Sequence, residues 1–541
     1  MRRRLLIYLV SLVVGVLILS YIIVNLDVPE TGLGAEIQKI FYMKQARMYL
    51  VEEVLEAEHL GSKLTLEVPE LPSLSSESVE LSQAIALSVF YATILTALMY
   101  WKIRVVAVFV GFLIIILLGV LPFELAIESM ELDLIIFLLA TMIVVEHMRE
   151  TGVLRYITVK MLKIAKLNPK LVLVYTIILS GLMSALVGEV ASIVYITILI
   201  LEVAELFDIN PIPWVITAVF ATNIGSAATV IGNPIGVYIA LYAGLTFTDF
   251  IVWATPSSLI ALVAIIGISL KWLKSDIVKA RTTMLDVRRA IERGERIEIL
   301  DEWSAVKNKR EFYIAWALFI LMVITIALHN YIASGATEFI KDIYDGEVMF
   351  PKVLPEAALV LAPLLYAAIA LARAGVKARS YVERGVEWWA LVFFMFLFAN
   401  AAALNYTGVT DKLAYLILIN SGGEQTIGTT VTALTLISWV TGVTSGFIDN
   451  MPVVVALSPV VNTLIEIGLP AGTAPFWGLL LGGCLGGNLT VIGSTANIVA
   501  AGILEKYGKE LKVGEWLKIG TVVVLITLWL ALIPLILRLY M

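Results

Sequence analysis

Residues 222–237 read TNIGSAATVIGNPIGV, and residues 482–503 read GGCLGGNLTVIGSTANIVAAGI. Both stretches place glycine, asparagine and serine in an apolar background, and both contain the tetrad TVIG. The threonine of this tetrad is Thr229 in the first stretch and Thr490 in the second, an offset of 261 residues. A shared tetrad in apolar sequence is weak on its own, so the surrounding residues decide whether the stretches are related.

A second pair of segments has the same spacing. GLMSALVGEV begins at Gly181 and GVTSGFIDNM begins at Gly442, again 261 residues apart. A constant offset over a long window without a gap predicts a duplicated unit. On the map of basic residues, the apolar run at 131–148 travels from outside to inside, whereas its counterpart at 387–404 travels from inside to outside. The repeats are therefore predicted to be inverted, as in many secondary transporters.

The composition places most of the chain in lipid. Of 541 residues, 60% are hydrophobic and 15% are charged, whereas soluble domains have roughly 45–50% and about 25%. Cys484 is the single cysteine, which excludes an intrachain disulfide, and His59, His147 and His329 lack the spacing of a metal site. A net charge of −6, from 44 acidic and 38 basic residues, is too balanced to indicate a nucleic-acid partner.

The charged joints between apolar runs give the orientation and the domain boundaries. The chain opens with three arginines, and the positive-inside rule places this N-terminus in the cytoplasm of a multi-pass protein of the cell membrane. We expect an N-terminal anchor helix and a small external segment at 1–80, and a first transmembrane repeat with its leading helices at 81–273. A cytoplasmic connector at 274–311 precedes a second, inverted repeat at 312–541.

Two apolar runs, at 190–204 and 451–466, are too short to cross a bilayer alone at 1.5 Å per residue. Each follows a break in the preceding span, at Val187-Gly188-Glu189 in the first half and at Ile448-Asp449-Asn450-Met451-Pro452 in the second. Irregular backbone inside a membrane is allowed only where it is buried in protein or lines a wet cavity. The pattern predicts two re-entrant hairpins with these breaks at their tips.

Each half contains a second break. Glycines supply an unwound segment, after which Asn233 before Pro234, and Ser494 in the other half, have the pattern of helix N-caps. Each repeat should therefore direct helix N-termini, with their positive dipole ends, at a common point near the midplane. The ends of the preceding helices and the unwound carbonyls can hold a cation at the same place.

The candidate coupling-ion residues are Glu189, Asp449 and Asn450. A charged carboxylate at mid-bilayer costs roughly 2.5–3.5 kcal/mol on insertion scales, so such residues indicate a function or a partner. Either carboxylate can bind a proton or coordinate sodium; the alternative is a purely structural hydrogen bond at a helix N-terminus.

The candidate substrate-binding residues share a position in the unwound segments or at their caps. They are Asn223, Gly225, Thr229, Gly232, Asn233, Pro234, Asn488, Thr490, Gly493, Ser494, Thr495 and Asn497. The alternative for each is structural, because glycine in a membrane span commonly permits close packing and asparagine commonly bonds neighbouring helices. The symmetric placement of all four breaks favours a binding site.

With residues 222–237, SGFIDNMP at 445–452 and residues 482–503, the chain resembles the ion transporter superfamily, in particular its arsenite permease and melanosomal P-protein branch, which has a citrate transporter-like domain. The resemblance implies discontinuous helices, re-entrant hairpins, elevator-type movement and a homodimer. Related sodium-coupled carboxylate transporters have tips resembling Ser-Asn-Thr. Here the tips are Gly188-Glu189-Val190 and Asp449-Asn450-Met451, a departure that favours proton coupling.

We therefore expect an all-α secondary active transporter that moves a small anion or oxyanion, of arsenite or organic-anion type, on a proton or sodium gradient. The alternatives are a Na⁺/H⁺ antiporter of the same superfamily, a sodium-coupled di- or tricarboxylate symporter, or an ion channel. Neither a catalytic cluster nor a P-loop of the form GxxxxGK[ST] is present in the sequence, so we expect no enzyme and no cofactor beyond the coupling ion.

Overall fold

The computed structural model of the protein describes residues 2–60, 71–165, 168–207, 209–293, 301–343 and 355–541. Over these ranges the chain consists of α-helices with short 3₁₀ and π turns and contains no strand. Eight helices in the described ranges are long and apolar enough to cross a membrane. They are Glu77–Met99, Pro169–Val187, Phe247–Trp272, Lys309–Ala327, Ala357–Gly385, Trp388–Tyr406, Ile427–Ser445 and Val513–Leu539. The prediction of an all-α polytopic membrane protein is confirmed for this part of the chain.

The first half begins with an N-terminal section of five helices: α1 (Arg2–Val24), α2 (Leu33–Leu60), α3 (Glu77–Met99), α4 (Arg104–Leu117) and α5 (Phe123–Glu128). The following section contains α6 (Leu132–Glu150), α7 (Val153–Ile164), α8 (Pro169–Val187), α9 (Glu189–Phe207), α10 (Pro211–Ser226) and α11 (Pro234–Ala243). A π-helical turn then joins α12 (Phe247–Asp249) to α13 (Thr255–Trp272), and α14 (Lys274–Glu292) occupies the first part of the predicted connector. Residues 294–300 of that connector lie outside the described ranges.

The second half starts with α15 (Lys309–Ala327), α16 (His329–Ile343), α17 (Pro355–Ala374) and α18 (Ala378–Ser380). It continues with α19 (Trp388–Tyr406), α20 (Val409–Asn420), α21 (Ile427–Ser445), α22 (Asn450–Glu466), α23 (Ala474–Gly486), α24 (Thr495–Lys506) and α25 (Val513–Leu539).

Capping asparagines mark the starts of two central helices. The side chains of Asn168 and Asn210 accept hydrogen bonds from N–H groups in the first turns of α8 and α10. Pro169 and Pro211 follow at the first helical position, where a missing N–H leaves no intrahelical bond unmade. The local sequence therefore fixes where these two helices begin.

Two helix pairs pack with their backbones in close approach. A Cβ atom on Gly225 of α10 would lie 2.2 Å from the carbonyl oxygen of Gly181 in α8. At positions 261 residues later, a Cβ atom on Gly486 of α23 would lie 2.2 Å from the carbonyl oxygen of Gly442 in α21. Since no real Cβ fits at that distance, glycine is required at both crossings.

The contacts divide most of the central helices into two groups. We call α8–α11 and α21–α24 the hairpin group, since α8 packs on α9 and α10, α21 packs on α23, and α10 contacts both α23 and α24. We call α3, α4, α6, α17 and α19 the framework group, since α4 packs on α3 and α19, and α6 packs on α17 and α19. The hairpin group contains every predicted site residue.

The helix after the first tip is longer than the predicted run at 190–204. The prediction of a short segment was wrong here, because α9 extends from Glu189 to Phe207 and has 19 residues. At 1.5 Å per residue this is about 28 Å, close to the thickness of the hydrocarbon core. The helix continues past Glu202 because Arg155 of α7 pairs with that carboxylate.

Candidate functional site

The first hairpin tip is a sharp turn at Gly188, between α8 and α9. Gly188 has φ 98° and ψ 153°, a backbone conformation that favours glycine. The next residue, Glu189, is only 5% exposed, and its Oε2 atom has no hydrogen-bond partner among the described residues. An unpartnered buried carboxylate is costly, so this group is chemically suited to take up a proton or a cation.

The second tip, residues 446–449, joins α21 to α22. Asp449 occupies the N-cap position of α22, and its Oδ2 atom accepts a hydrogen bond from Oγ1 of Thr495 at 3.3 Å. Asp449 and Asn450 are each 5% exposed. The tip therefore holds a buried carboxylate at a helix N-terminus, where the helix dipole favours negative charge.

The segments between α10 and α11 and between α23 and α24 are unwound, as predicted. The side chain of Asn233 accepts a hydrogen bond from the N–H of Gly236 at 2.7 Å, and that of Ser494 accepts one from the N–H of Ala496 at 3.2 Å. Both predicted N-caps are confirmed by these bonds. The N-termini of α11 and α24 therefore begin inside the hairpin group.

A threonine ties each unwound segment to the hairpin of its own half. Thr229 Oγ1 donates to the carbonyl oxygen of Ala185 near the end of α8. Thr490 Oγ1 donates to the carbonyl oxygen of Gly446 after α21, at 2.5 Å. Both donors and both acceptors are separated by 261 residues, so the two halves make the same contact.

The glycines among the predicted substrate residues lie against backbone. A Cβ atom would come within 2.2 Å of a carbonyl oxygen at Gly225 and Gly232, and within 2.7 Å of one at Gly493. These three positions leave no room for a ligand beside them. Close packing accounts for them without a binding role.

Buried amides connect the two halves where the breaks meet. Asn223 Nδ2 donates to Asn488 Oδ1 at 2.8 Å and to Asn497 Oδ1 at 2.9 Å, and Ser494 Oγ donates to Asn223 Oδ1 at 3.1 Å. Asn497 in turn donates to the carbonyl oxygens of residues 487 and 490. The hydrogen-bonding capacity of Asn223 is thus used within the protein.

A cavity of about 230 Å³ lies between the hairpin group and the framework group. Six predicted site residues line it: Glu189, Asn233, Pro234, Asp449, Asn450 and Thr495. The remaining predicted residues do not line it: Asn223, Gly225, Thr229, Gly232, Asn488, Thr490, Gly493, Ser494 and Asn497. The cavity therefore separates the tip and cap residues from those that hold the breaks together.

The same cavity is lined by charged residues that the sequence did not single out as site members: Glu146, Arg149, Arg384 and Glu387. Glu146 and Arg149 form an ion pair at 3.3 Å on α6. In the sequence these residues stand at the ends of apolar runs, where charge is ordinarily interfacial. The available signal was that two such ends, one in each half, carry both an acidic and a basic residue.

A second cavity, of about 520 Å³, lies further along the same helices. On α19, Phe394 lines the first cavity and Phe398 lines the second; on α22, Met451 lines the first and Val455 the second. Tyr238 of α11 stacks on Phe398 with ring centroids 5.2 Å apart. One helical turn on each of these two helices therefore separates the cavities.

Helix α2 is joined to the hairpin group beside the second cavity. Lys44 Nζ donates to Asp411 Oδ1 at 2.7 Å, and Thr463 Oγ1 of α22 donates to the same oxygen at 2.8 Å. Asp411 is fully buried. Lys44 also lines the second cavity, so the N-terminal section closes over this end of the site.

Comparison with known proteins gives matches over most of the chain. A sequence model described as "Citrate transporter" matches residues 91–482. An uncharacterized transporter of Mycobacterium tuberculosis is 32% identical over 412 residues, covering 76% of this chain and 87% of that protein. The P protein of Homo sapiens is 26% identical over 448 residues, covering 73% of this chain and 52% of that protein.

Among solved structures, the YdaH transporter of Alcanivorax borkumensis matches with 15% sequence identity and a TM-score of 0.44. The match covers 85% of this chain and 98% of that one.

Proposed function

Because the chain belongs to the citrate transporter family and is a membrane transporter rather than an enzyme, we propose that it moves a small anion or oxyanion, of arsenite or organic-anion type, using a proton or sodium gradient. The family membership confirms the resemblance drawn from the sequence motifs. One observation carries the proposal: the carboxylates of Glu189 and Asp449, on different hairpins, line one cavity together with the caps of two broken helices.

The coupling ion occupies the site formed by Glu189, Asp449 and Asn450. The unpartnered Oε2 of Glu189 supports this assignment, as does the position of Asp449 at a helix N-terminus. A carboxyl group in this setting can exchange between a protonated state and a cation-bound state. No cofactor is required beyond this ion.

The substrate contacts Asn233, Pro234 and Thr495, the predicted substrate residues that line the cavity. An anion there meets the N-termini of α11 and α24, whose free N–H groups and dipoles favour negative charge. Arg149 and Arg384 line the same cavity and add positive charge. The buried asparagines and the glycines hold the unwound segments in shape.

The two halves act as inverted repeats, and the hairpin group moves as one body against the framework group in an elevator-type cycle. The matched threonine contacts and the matched glycine crossings support the repeat. The position of both cavities at the boundary between the two groups supports movement there. The domain boundaries at 80, 273 and 311 follow from the same division.

The protein acts in the plasma membrane with its N-terminus in the cytoplasm, as a homodimer. The basic residues Arg149 and Arg384 at one end of the first cavity support a cytoplasmic opening in this conformation. The state described here is then inward-facing. The second cavity, beside α2, belongs to the external side.

A Na⁺/H⁺ antiporter is the second candidate. Four carboxylates line the first cavity, those of Glu146, Glu189, Glu387 and Asp449. Against them stand the two arginines, so the excess of negative charge favours a cation as cargo. A sodium-coupled di- or tricarboxylate symporter would need a more positive site.

Uptake by proteoliposomes tests the proposal. Labelled arsenite, citrate and succinate are offered under an inward proton or sodium gradient, with and without an ionophore that collapses it. Saturable uptake that disappears with the gradient supports the proposal. Flux that neither saturates nor depends on a gradient supports a channel and contradicts it. Sodium-driven proton release without any organic anion selects the antiporter.

A further inference from the structure

Arg104 is a buried arginine beside the site. The sequence places it in a basic joint at the membrane surface, but the residue is only 6% exposed, whereas its neighbour Lys102 is exposed. The guanidinium carbon lies 3.9 Å from the ring centroid of Trp101 and 5.1 Å from that of Phe393. Arg104 begins α4, and Phe393 belongs to α19, so the side chain points into the framework group.

The guanidinium is not fully satisfied. Its Nε and Nη1 atoms are buried and have no hydrogen-bond partner among the described residues. A buried cation without a partner is costly, and the aromatic faces compensate only in part. The arrangement therefore needs nearby negative charge.

The carboxylates that act on Arg104 are those of Asp449 and Glu387. Both line the first cavity, although Arg104 itself does not. Among the described residues neither carboxylate forms an ion pair with Arg104. The arginine therefore acts as a fixed charge behind the cavity wall.

The two carboxylates differ in what they are attached to. Glu387 precedes the first residue of α19, which packs on α4, so it stays with Arg104 in the framework group. Asp449 belongs to the tip of the second hairpin, in the hairpin group. Displacement of one group against the other changes the distance from Arg104 to Asp449 and leaves that to Glu387 nearly constant.

We propose that Arg104 is the countercharge that stabilises Asp449 while the coupling-ion site is empty. The inference rests on the proposed function and adds a positioning residue to it. An ionised Asp449 is attracted to Arg104, which holds the hairpin group in place. A bound cation or proton neutralises Asp449, removes the attraction and frees the hairpin group to move. Movement without the ion is thereby suppressed.

The first test is a double-mutant cycle on thermal unfolding of the purified protein, which requires no transport. R104Q leaves Asp449 without a countercharge and lowers the unfolding temperature. D449N in the same protein removes the need for one, so R104Q/D449N recovers most of the loss. K102Q removes a charge two residues away and leaves the unfolding temperature unchanged. Additive effects of R104Q and D449N would overturn the proposal.

The second test uses proteoliposomes. R104Q lowers the concentration of coupling ion needed for half-maximal uptake by roughly fivefold or more, because the ion now competes with nothing for Asp449. R104K retains the wild-type value, and so does K102Q. An R104Q protein with the wild-type ion dependence overturns the proposal.

Two outcomes separate the inference from the function on which it rests. If the wild-type protein shows no gradient-driven uptake, the proposed function fails while the unfolding cycle still decides the pairing. If R104Q alone does not yield folded protein, R104Q/D449N must yield a single monodisperse species. Failure of that rescue also overturns the proposal.

Discussion

The side-chain amide of Asn223 donates to the side-chain oxygen of Asn488 at 2.8 Å, although the two residues are 265 positions apart in the chain. Asn223 belongs to the last turn of α10, and Asn488 follows the end of α23. Both are buried. Their contact joins the unwound segment of one half to that of the other.

Replacing Asn223 with alanine removes two donated hydrogen bonds and one accepted bond. Each buried polar group left without a partner costs about 1–3 kcal/mol, so N223A is expected to lower the unfolding free energy by more than 2 kcal/mol, on the order of 3. Thermal unfolding in detergent measures the change. N420A is the matched control, because Asn420 is exposed and bonds only within α20. Equal stability of the two variants would falsify the structural role.

Neutralising the two tip carboxylates should abolish ion coupling. E189Q and D449N keep the size of each side chain but remove the charge that binds the cation. We expect both variants to lose gradient-driven uptake while remaining folded. E505Q on α24, an exposed position, serves as the control and retains uptake. Unchanged gradient dependence in both tip variants would rule out this coupling-ion site.

A methyl group at the glycine crossings should force helices apart. G225A and G486A each place a Cβ atom 2.2 Å from a carbonyl oxygen, and overpacking of this kind costs about 1–3 kcal/mol or more. G502A is the comparison, since Gly502 lies in α24 with open space beside it, and alanine there is expected to stabilise by up to about 1 kcal/mol. Unfolding temperatures distinguish the variants. A G486A protein as stable as G502A would contradict the close approach of α21 and α23.

Breaking the contact between Lys44 and Asp411 should loosen α2. K44M leaves a fully buried carboxylate with a threonine as its remaining partner, and loss of one member of a buried pair costs on the order of 3 kcal/mol. D411N in the K44M background should restore much of the stability, because the orphaned charge is then absent. Unfolding of both variants tests this. A double variant less stable than K44M alone would count against the pair.

The connector should detach from α7 in acid. Lys163 donates a hydrogen bond to Glu302, and this lowers the pKa of the Glu302 carboxyl below its ordinary value. The stabilisation is present above the ordinary pKa and is lost as the pH falls through the lowered one. Limited proteolysis within 301–308 is therefore expected to be faster near pH 3 than near pH 7. E302Q should be cleaved at the same rate at both values; a persisting pH dependence would point to other groups.

Local chemistry made several features predictable. The tip at Gly188 and the caps at Asn233 and Ser494 depend on residues adjacent in sequence, and glycine, asparagine and proline restrict the backbone there. Charge at membrane depth likewise identified Glu189 and Asp449. These features required only the sequence within a few residues of each position.

Long-range contacts account for what the sequence did not reveal. Asn223 and Asn488 were expected to meet a substrate, but each finds its partner in the other half of the chain. The length of α9 depends on Arg155, an ion-pair partner from another helix. Arg104 reads as a surface residue until Trp101 and Phe393 are placed around it. Repeat symmetry, elevator movement and the assignment of the coupling ion stay predictions.

The thin division between the two cavities has an electrical consequence. Phe394 and Phe398 on α19 are one turn apart, about 5–6 Å along the helix. Water in both cavities would confine most of the transmembrane voltage to that layer. One elementary charge crossing the full voltage exchanges about 2.3 kcal/mol per 100 mV. A carboxylate at a hairpin tip would then need to move only a few ångströms to draw on the membrane potential, which makes this layer the voltage-sensitive element of the protein.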